Sequence, residues 1–139
     1  MKILAVDAAG KALSVAVAED GRIVASAALN VGLTHSQRLL PLLQSLLAAA
    51  DLSLAEIDML AVVNGPGSFT GLRIGMSTAK GLAWALQKPL LPVCTLEAAA
   101  YNALGVGRPE QLACPVLDAR RNEVYTALFA AGPGLVPQP

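Results

Sequence analysis

The chain has 139 residues, 55% of them hydrophobic, and its formal charges cancel to zero; that length holds one domain, or one domain and a fragment of a second. A neutral chain lacks the general positive field that drives autonomous nucleic-acid binding, and no unbroken apolar run approaches the roughly 18–20 residues of a membrane span. The opening "MKILAVDAAG" reaches Asp7 too soon for a signal-peptide core, so the expected location is the cytoplasm.

"KILAVDAA" reads as a strand ending at Asp7, and "ALSVAVAED" and "RIVASAAL" read as two more. Asp20-Gly21 between the last two is a hairpin turn, so the chain opens on an antiparallel run. A helix is expected from His35 to Ala50, with Thr34 as its cap. Pro41 lies inside it and predicts a kink. Leu39, Leu42, Leu43 and Leu46 make one apolar face of this helix, and Leu40 and Leu47 a second. That surface is wider than one sheet contact needs. Together with the high apolar content it points to a helix held between the sheet and a partner.

Ser53 and Glu56 match a capping box and predict a short helical turn. "MLAVV" reads as a central strand covered on both faces. A second helix is expected from Gly71 to Gln87, then a short strand in "PLLPVC" and a third helix from Thr95 to Leu104. Two strands, "LACPVLDA" and "NEVYTALFA", follow around a turn at Ala119–Arg121. The order βββ-α-β-α-β-α predicts an α/β unit of three layers, a mixed sheet with helices on its faces. The expected division is 1–107 for this unit and 108–139 for the start of a second, with the break in "GVGRPEQL". The second piece reads as truncated to a hairpin, which is marginal by itself.

Between the central strand and the second helix lies "NGPGSFTGLRIG", Asn64 to Gly75, with four glycines and a proline. It is not the phosphate loop G-x-x-x-x-G-K-[ST]. The dinucleotide fingerprint G-x-G-x-x-G also fails, because Gly71 arrives one residue late. The N-terminus of the following helix still offers an anion site, with Asp7, Thr70 and Arg73 as candidate anion- or nucleotide-binding residues. Arg73, in the first turn, opposes the helix dipole. It calls for an internal carboxylate, a bound anion or a neighbouring protein.

The same helix carries two ridges of small residues, Gly71–Gly75–Ala79 and Ser77–Gly81–Ala85. An interior glycine costs about 1 kcal/mol relative to alanine, so close approach of another backbone is expected. One ridge suits the sheet and the other a neighbouring helix. The candidate partner-facing residues are Leu42, Leu46, Arg73, Gly75, Met76, Ala79 and Lys80.

Metal and catalytic constellations are not assembled by the sequence. His35 is the single histidine, and the second position of an H-x-x-x-H pair is Leu39. Cys94 and Cys114 have no CxxC spacing and read as small core residues. Asp7 is followed by Ala8 and Ala9, which offer no hydroxyl for a metal-bound phosphate, and Lys11 is a weak substitute. Asp118 is a second carboxylate with no closed cleft to bring it to the first. No nucleophile–base arrangement emerges, so no catalytic residue, metal or cofactor is assigned.

In order and spacing, "ILAVDAA", "THSQRLLPLL", "VVNGPGSFTGLRIGMSTAKGLA" and "LDARRNEVY" resemble the bacterial TsaB family, also called YeaZ. The resemblance covers nearly the whole chain, and the glycine segment is its most diagnostic part. It implies a ribonuclease-H-like N-terminal lobe of the actin/Hsp70/sugar-kinase superfamily, plus the first strands of a second lobe that family members complete. It also implies a role in making threonylcarbamoyladenosine next to the anticodon of tRNAs that read ANN codons. In that system the TsaD paralogue carries the metal and transfers the threonylcarbamoyl group. The TsaB-type chain is its non-catalytic dimer partner, or pairs with itself when alone. The small ATPase TsaE joins the pair, and tRNA is met only indirectly. Leu39, Ala8 and Ala9 fit that division of labour. The competing expectation is a nucleotide-binding enzyme of the same superfamily, a small ATPase or kinase built on Asp7, Thr70 and Arg73.

Overall fold

Residues 1–30, 35–104, 111–130 and 136–138 are described by the computed structural model. Strict alternation builds the centre of the sheet. In β1 (Lys2–Asp7) Leu4 and Val6 are buried, and in β2 (Leu13–Glu19) Leu13, Val15 and Val17. β3 (Arg22–Leu29), β4 (Met59–Gly65) and β5 (Leu90–Cys94) complete a five-stranded sheet in the order β3-β2-β1-β4-β5. The first three strands are antiparallel neighbours, and β1, β4 and β5 run parallel. This is the ribonuclease-H-like arrangement. Its register sets Leu4 beside Val17 and Leu60, and Val6 beside Val15 and Val62. One face of the central strands is therefore a continuous aliphatic layer.

Two helices, α1 (His35–Ala49) and α2 (Phe69–Leu86), cover that layer. α1 buries Leu39, Leu43, Leu46 and Leu47, each contributing about 1.5–3 kcal/mol by leaving water. The expected second leucine face is thus corrected: Leu47 joins the core, and Leu42 is half-buried and packed against it. Leu40 stays 46% exposed. Helix α1 runs unbroken through Pro41. Pro41 is exposed, and so is Gln37, whose carbonyl loses its helical donor and can turn to water. The expected Thr34 cap lies outside the described residues.

The predicted turn at Ser53–Glu56 forms as a single 3₁₀ turn, Leu54–Glu56. The Glu56 carboxylate accepts from the Ser53 N–H and the Ser53 hydroxyl, both at 2.9 Å, and from Lys2 Nζ at 3.3 Å. The third helix, α3 (Thr95–Leu104), lies on the opposite face of the sheet, where Ala98 shares a cavity with Ala5 and Val63.

Each of the two expected terminal strands is split. The segments are β6 (Leu112–Ala113), β7 (Val116–Arg120), β8 (Glu123–Thr126) and β9 (Leu128–Ala130), followed by β10 (Val136–Gln138). Pro115 has no N–H to give a ladder, and it separates β6 from β7. Arg120, Arg121 and Asn122 turn the chain with φ of 68°, 53° and 61°. β7 pairs with β8, whereas β9 lies between β6 and β10. Ala113 and Phe129 pack with Leu96 and Ala100, so this piece leans on α3. Most of the expected boundary, 105–110, lies outside the described residues.

Leu43→Ala should cost about 2–5 kcal/mol in denaturant unfolding, and Leu40→Ala no more than about 0.5 kcal/mol. Equal losses at the two positions would contradict the burial pattern. The Glu56 carboxyl is held below its ordinary value of 4.5, first by the Ser53 N–H, then by the Ser53 hydroxyl and Lys2. A depressed folded value means the contribution is complete above the ordinary value and is lost as pH falls through the lowered one. Glu56→Gln should therefore lower the melting temperature at neutral pH, and the difference from the native chain should shrink in acid.

Candidate functional site

The glycine loop brings backbone onto backbone. Gly65 adopts φ of 119°, a conformation that L side chains rarely take. A Cβ on Gly67 would lie 2.6 Å from the carbonyl oxygen of Ala9, and one on Gly71 would run into the carbonyl oxygen of Ala8. The Ser68 N–H donates to the Ala9 carbonyl at 2.7 Å. The Ser68 hydroxyl then accepts from the Gly71 N–H at 3.3 Å, capping α2 and starting it at Phe69, two residues earlier than expected. The start of α2 is thus occupied by carbonyls from the end of β1 and by its own cap. Those are the groups an anion would replace. His35 ties the same corner together, its Nε2 donating to the Gly10 carbonyl at 3.1 Å.

The two small-residue ridges have different fates. Gly71, Gly75, Ala79 and Ala83 are buried. A Cβ on Gly75 would meet Ala8 at 3.3 Å, with Val62 and Val6 beyond. On the second ridge Ser77, Gly81 and Ala85 are exposed, and a Cβ on Gly81 would meet nothing within 4 Å. The inner ridge faces the sheet, and the outer one is open.

This corrects part of the expected partner surface. Leu46, Gly75 and Ala79 are buried in the chain's own core, and Leu42 and Met76 are half-buried against it. All five lie on the sides of α1 and α2 that the aliphatic layer draws inward. Arg73 and Lys80 are exposed. Arg73 has no ion pair among the described residues; its guanidinium lies over the Phe69 ring, 5.4 Å from the centroid, in cation–π range.

Nor does the fold assemble Asp7, Thr70 and Arg73. Val6 faces the helix layer, so Asp7, the next residue, points to the other side of the sheet. There it lines a cavity of about 450 Å³ together with Ser14 and Ser26, and one of its oxygens accepts from the Ala9 N–H at 2.8 Å. Thr70 and Arg73 are exposed on the far layer. Among the described residues no three His, Cys, Asp or Glu side chains come together as a metal site. Asp118 is exposed in β7 and accepts from the Arg120 N–H at 2.7 Å. Cys94 is half-buried beside the α3 cluster, and Cys114, expected in a core, is exposed. No helix among the described residues is long and apolar enough to cross a membrane.

Residues 30–136 match the family described as TsaD, tRNA N6-adenosine threonylcarbamoyltransferase. The tRNA threonylcarbamoyladenosine biosynthesis protein TsaB of Bacillus subtilis (strain 168) is 38% identical over 139 residues, 99% of this chain and 59% of that protein. The protein of the same name from Escherichia coli (strain K12) is 42% identical over 129 residues, 93% of this chain and 55% of that protein. The structure of YeaZ from Pseudomonas aeruginosa superposes with a TM-score of 0.85 at 34% identity, over 99% of this chain and 64% of that one. The chain belongs to the TsaB (YeaZ) family. It spans less than two thirds of the length of these relatives.

In this TsaB-family chain, two exposed residues escaped the sequence reading. Phe69 is 73% exposed and Trp84 80%. They stand on α2 with Arg73, Ser77 and Lys80 at helical spacing, opposite the inner ridge, and form one outward strip. Lys80 and Trp84 also border a concavity of about 470 Å³ with Gln87 and Lys88. The signal was available: large apolar residues spaced on the polar side of an amphipathic helix.

The two ridges separate experimentally. Gly71→Ala should destabilise the fold by at least about 1–3 kcal/mol through overpacking. Gly81→Ala should stabilise it by up to about 1 kcal/mol. Thermal melting of the two variants distinguishes them, and the same sign for both would contradict the placement.

Proposed function

We propose that the chain acts as a non-catalytic subunit of tRNA threonylcarbamoyladenosine biosynthesis, the pathway for which its TsaB relatives are named. It pairs with a TsaD-type transferase through the outer surface of α1 and α2, with TsaE joining through that complex. Self-pairing is the state of the chain alone. The observation that carries this reading is the outward strip of α2, which leaves Phe69 and Trp84 exposed next to Arg73, a cation with no ion pair among the described residues. Aromatic residues and arginine are the types that dominate binding energy in interfaces. The separation of Asp7 from Thr70 and Arg73 supports assigning the chemistry to the partner.

A nucleotide-binding enzyme is the second reading. It draws on the cavity that Asp7, Ser14 and Ser26 line on the other face of the sheet. Calorimetry with ATP and Mg²⁺ decides it: heat of binding in the millimolar range supports it, and none removes it.

For the first reading, Trp84→Ala and Arg73→Ala should each weaken pairing with the TsaD paralogue by about 1.4–4 kcal/mol, roughly tenfold to a thousandfold in Kd. Both should leave thermal melting unchanged. tRNA modification reconstituted with the paralogue and TsaE should fall in parallel. Unaltered affinity in sedimentation for both variants would remove the proposed surface.

A further inference from the structure

The corner that seats α2 on the sheet is made by residues past the end of a strand. The last rungs of β1 pair Asp7 with Ser14 and Val6 with Val62, and Ala8 and Ala9 lie beyond them. A peptide plane outside a ladder turns about its flanking bonds unless another group holds it. Yet these two planes are set closely. The Ala8 carbonyl stands where a Cβ on Gly71 would run into it, and the Ala9 carbonyl lies 2.6 Å from where a Cβ on Gly67 would be.

The group that holds them comes from the other face of the sheet. Asp7 is half-buried in the cavity it lines with Ser14 and Ser26, and one of its carboxylate oxygens accepts from the Ala9 N–H at 2.8 Å. That N–H and the Ala8 carbonyl belong to one peptide unit, and in a trans peptide the two point in opposite directions. Drawing the N–H to Asp7 therefore sends the carbonyl the other way, onto Gly71. The bond to a carboxylate is charge-assisted and stronger than a neutral one. From Ala9 the bonding runs on into the helix: its carbonyl accepts from the Ser68 N–H at 2.7 Å, and the Ser68 hydroxyl accepts from the Gly71 N–H at 3.3 Å.

We propose that Asp7 is a positioning residue: from the cavity side of the sheet its carboxylate aims the Ala8–Ala9 peptide, and that peptide fixes the start of α2 on the helix side. In this role the acceptor oxygen matters and the charge does not. A carboxylate that holds a divalent cation works by its charge. The two roles part on one substitution. Asp7→Asn keeps a carbonyl oxygen able to accept the Ala9 N–H and loses the charge, whereas Asp7→Ala loses both.

The test uses the full chain, isotope-labelled for NMR, as native, Asp7→Asn and Asp7→Ala, with Leu43→Ala as a control that loosens the core away from the corner. In Asp7→Ala the Ala9 amide proton should move upfield, and the Ser68 amide should exchange with solvent about tenfold or more faster than in the native chain. In Asp7→Asn that rate should stay within about threefold of native. Leu43→Ala should melt early and leave the Ala9 proton in place, which separates aiming from general loosening. If Asp7→Ala does not fold, Asp7→Asn against Leu43→Ala decides. Unchanged Ser68 exchange in Asp7→Ala overturns the inference. So does an Asp7→Asn chain that loses the Ser68 protection, since the charge is then what Asp7 supplies. One further arm rests on the pairing reading above. Asp7→Ala should weaken sedimentation with the TsaD paralogue by about fivefold or more from the opposite side of the sheet, and Asp7→Asn should not. Native affinity in Asp7→Ala overturns the reach of the inference to that surface. No pairing by the native chain defeats the proposed function and leaves the exchange result standing.

Discussion

The structure turns on a contact between two stretches of backbone. The carbonyls of Ala8 and Ala9, at the end of β1, press on Gly67 and Gly71, where a side chain on either glycine would collide with them. That contact sets how close α2 comes to the sheet. Once it is made, Gly75 must lie close to Val6 and Val62, Ala79 is buried on the same side, and the opposite side of the helix must face out. Interiors packed this densely tolerate little adjustment, so the direction of every α2 side chain follows from one corner.

The same contact decides what the glycine loop can do chemically. A loop of this composition at the start of a helix suggests a cradle for phosphate. Here two of its donors are taken, the Ser68 N–H by Ala9 and the Gly71 N–H by the Ser68 hydroxyl. The glycines serve approach between protein segments. Asp7, which would complete a nucleotide site, is turned to the opposite side of the sheet by the alternation of β1.

Much of the fold was legible because its periods are clean. Alternation in β1 and β2 and the continuous apolar run of β4 marked strands, Asp20-Gly21 marked a turn, and Ser53 with Glu56 marked a helical turn. Periodicity was weaker at assigning direction. Gly71–Gly75–Ala79 and Ser77–Gly81–Ala85 are equally small ridges, and nothing in their spacing says which one meets the sheet. That choice depends on the position of the Ala8 carbonyl, which is information from another segment. The same holds for Leu42 and Leu46, whose spacing along α1 does not by itself tell an inward from an outward face. The spacing of Phe69 and Trp84 places them opposite the inner ridge, and their exposure follows only once that ridge is known to meet the sheet. At the C-terminal end, Pro115 inside "LACPVLDA" already signalled the break that the structure shows between β6 and β7.

Because α2 is anchored by glycines and main-chain atoms, its orientation owes nothing to the residues it displays. Arg73, Lys80 and Trp84 can be exchanged without disturbing the corner that aims them. A lineage that keeps "NGPGSFTG" can therefore rewrite the outward chemistry of the helix one residue at a time and pass through folded intermediates. Gene duplication followed by divergence of that surface is an accessible route from one scaffold to several mutually selective chains. The rigid corner is what makes the variable face evolvable.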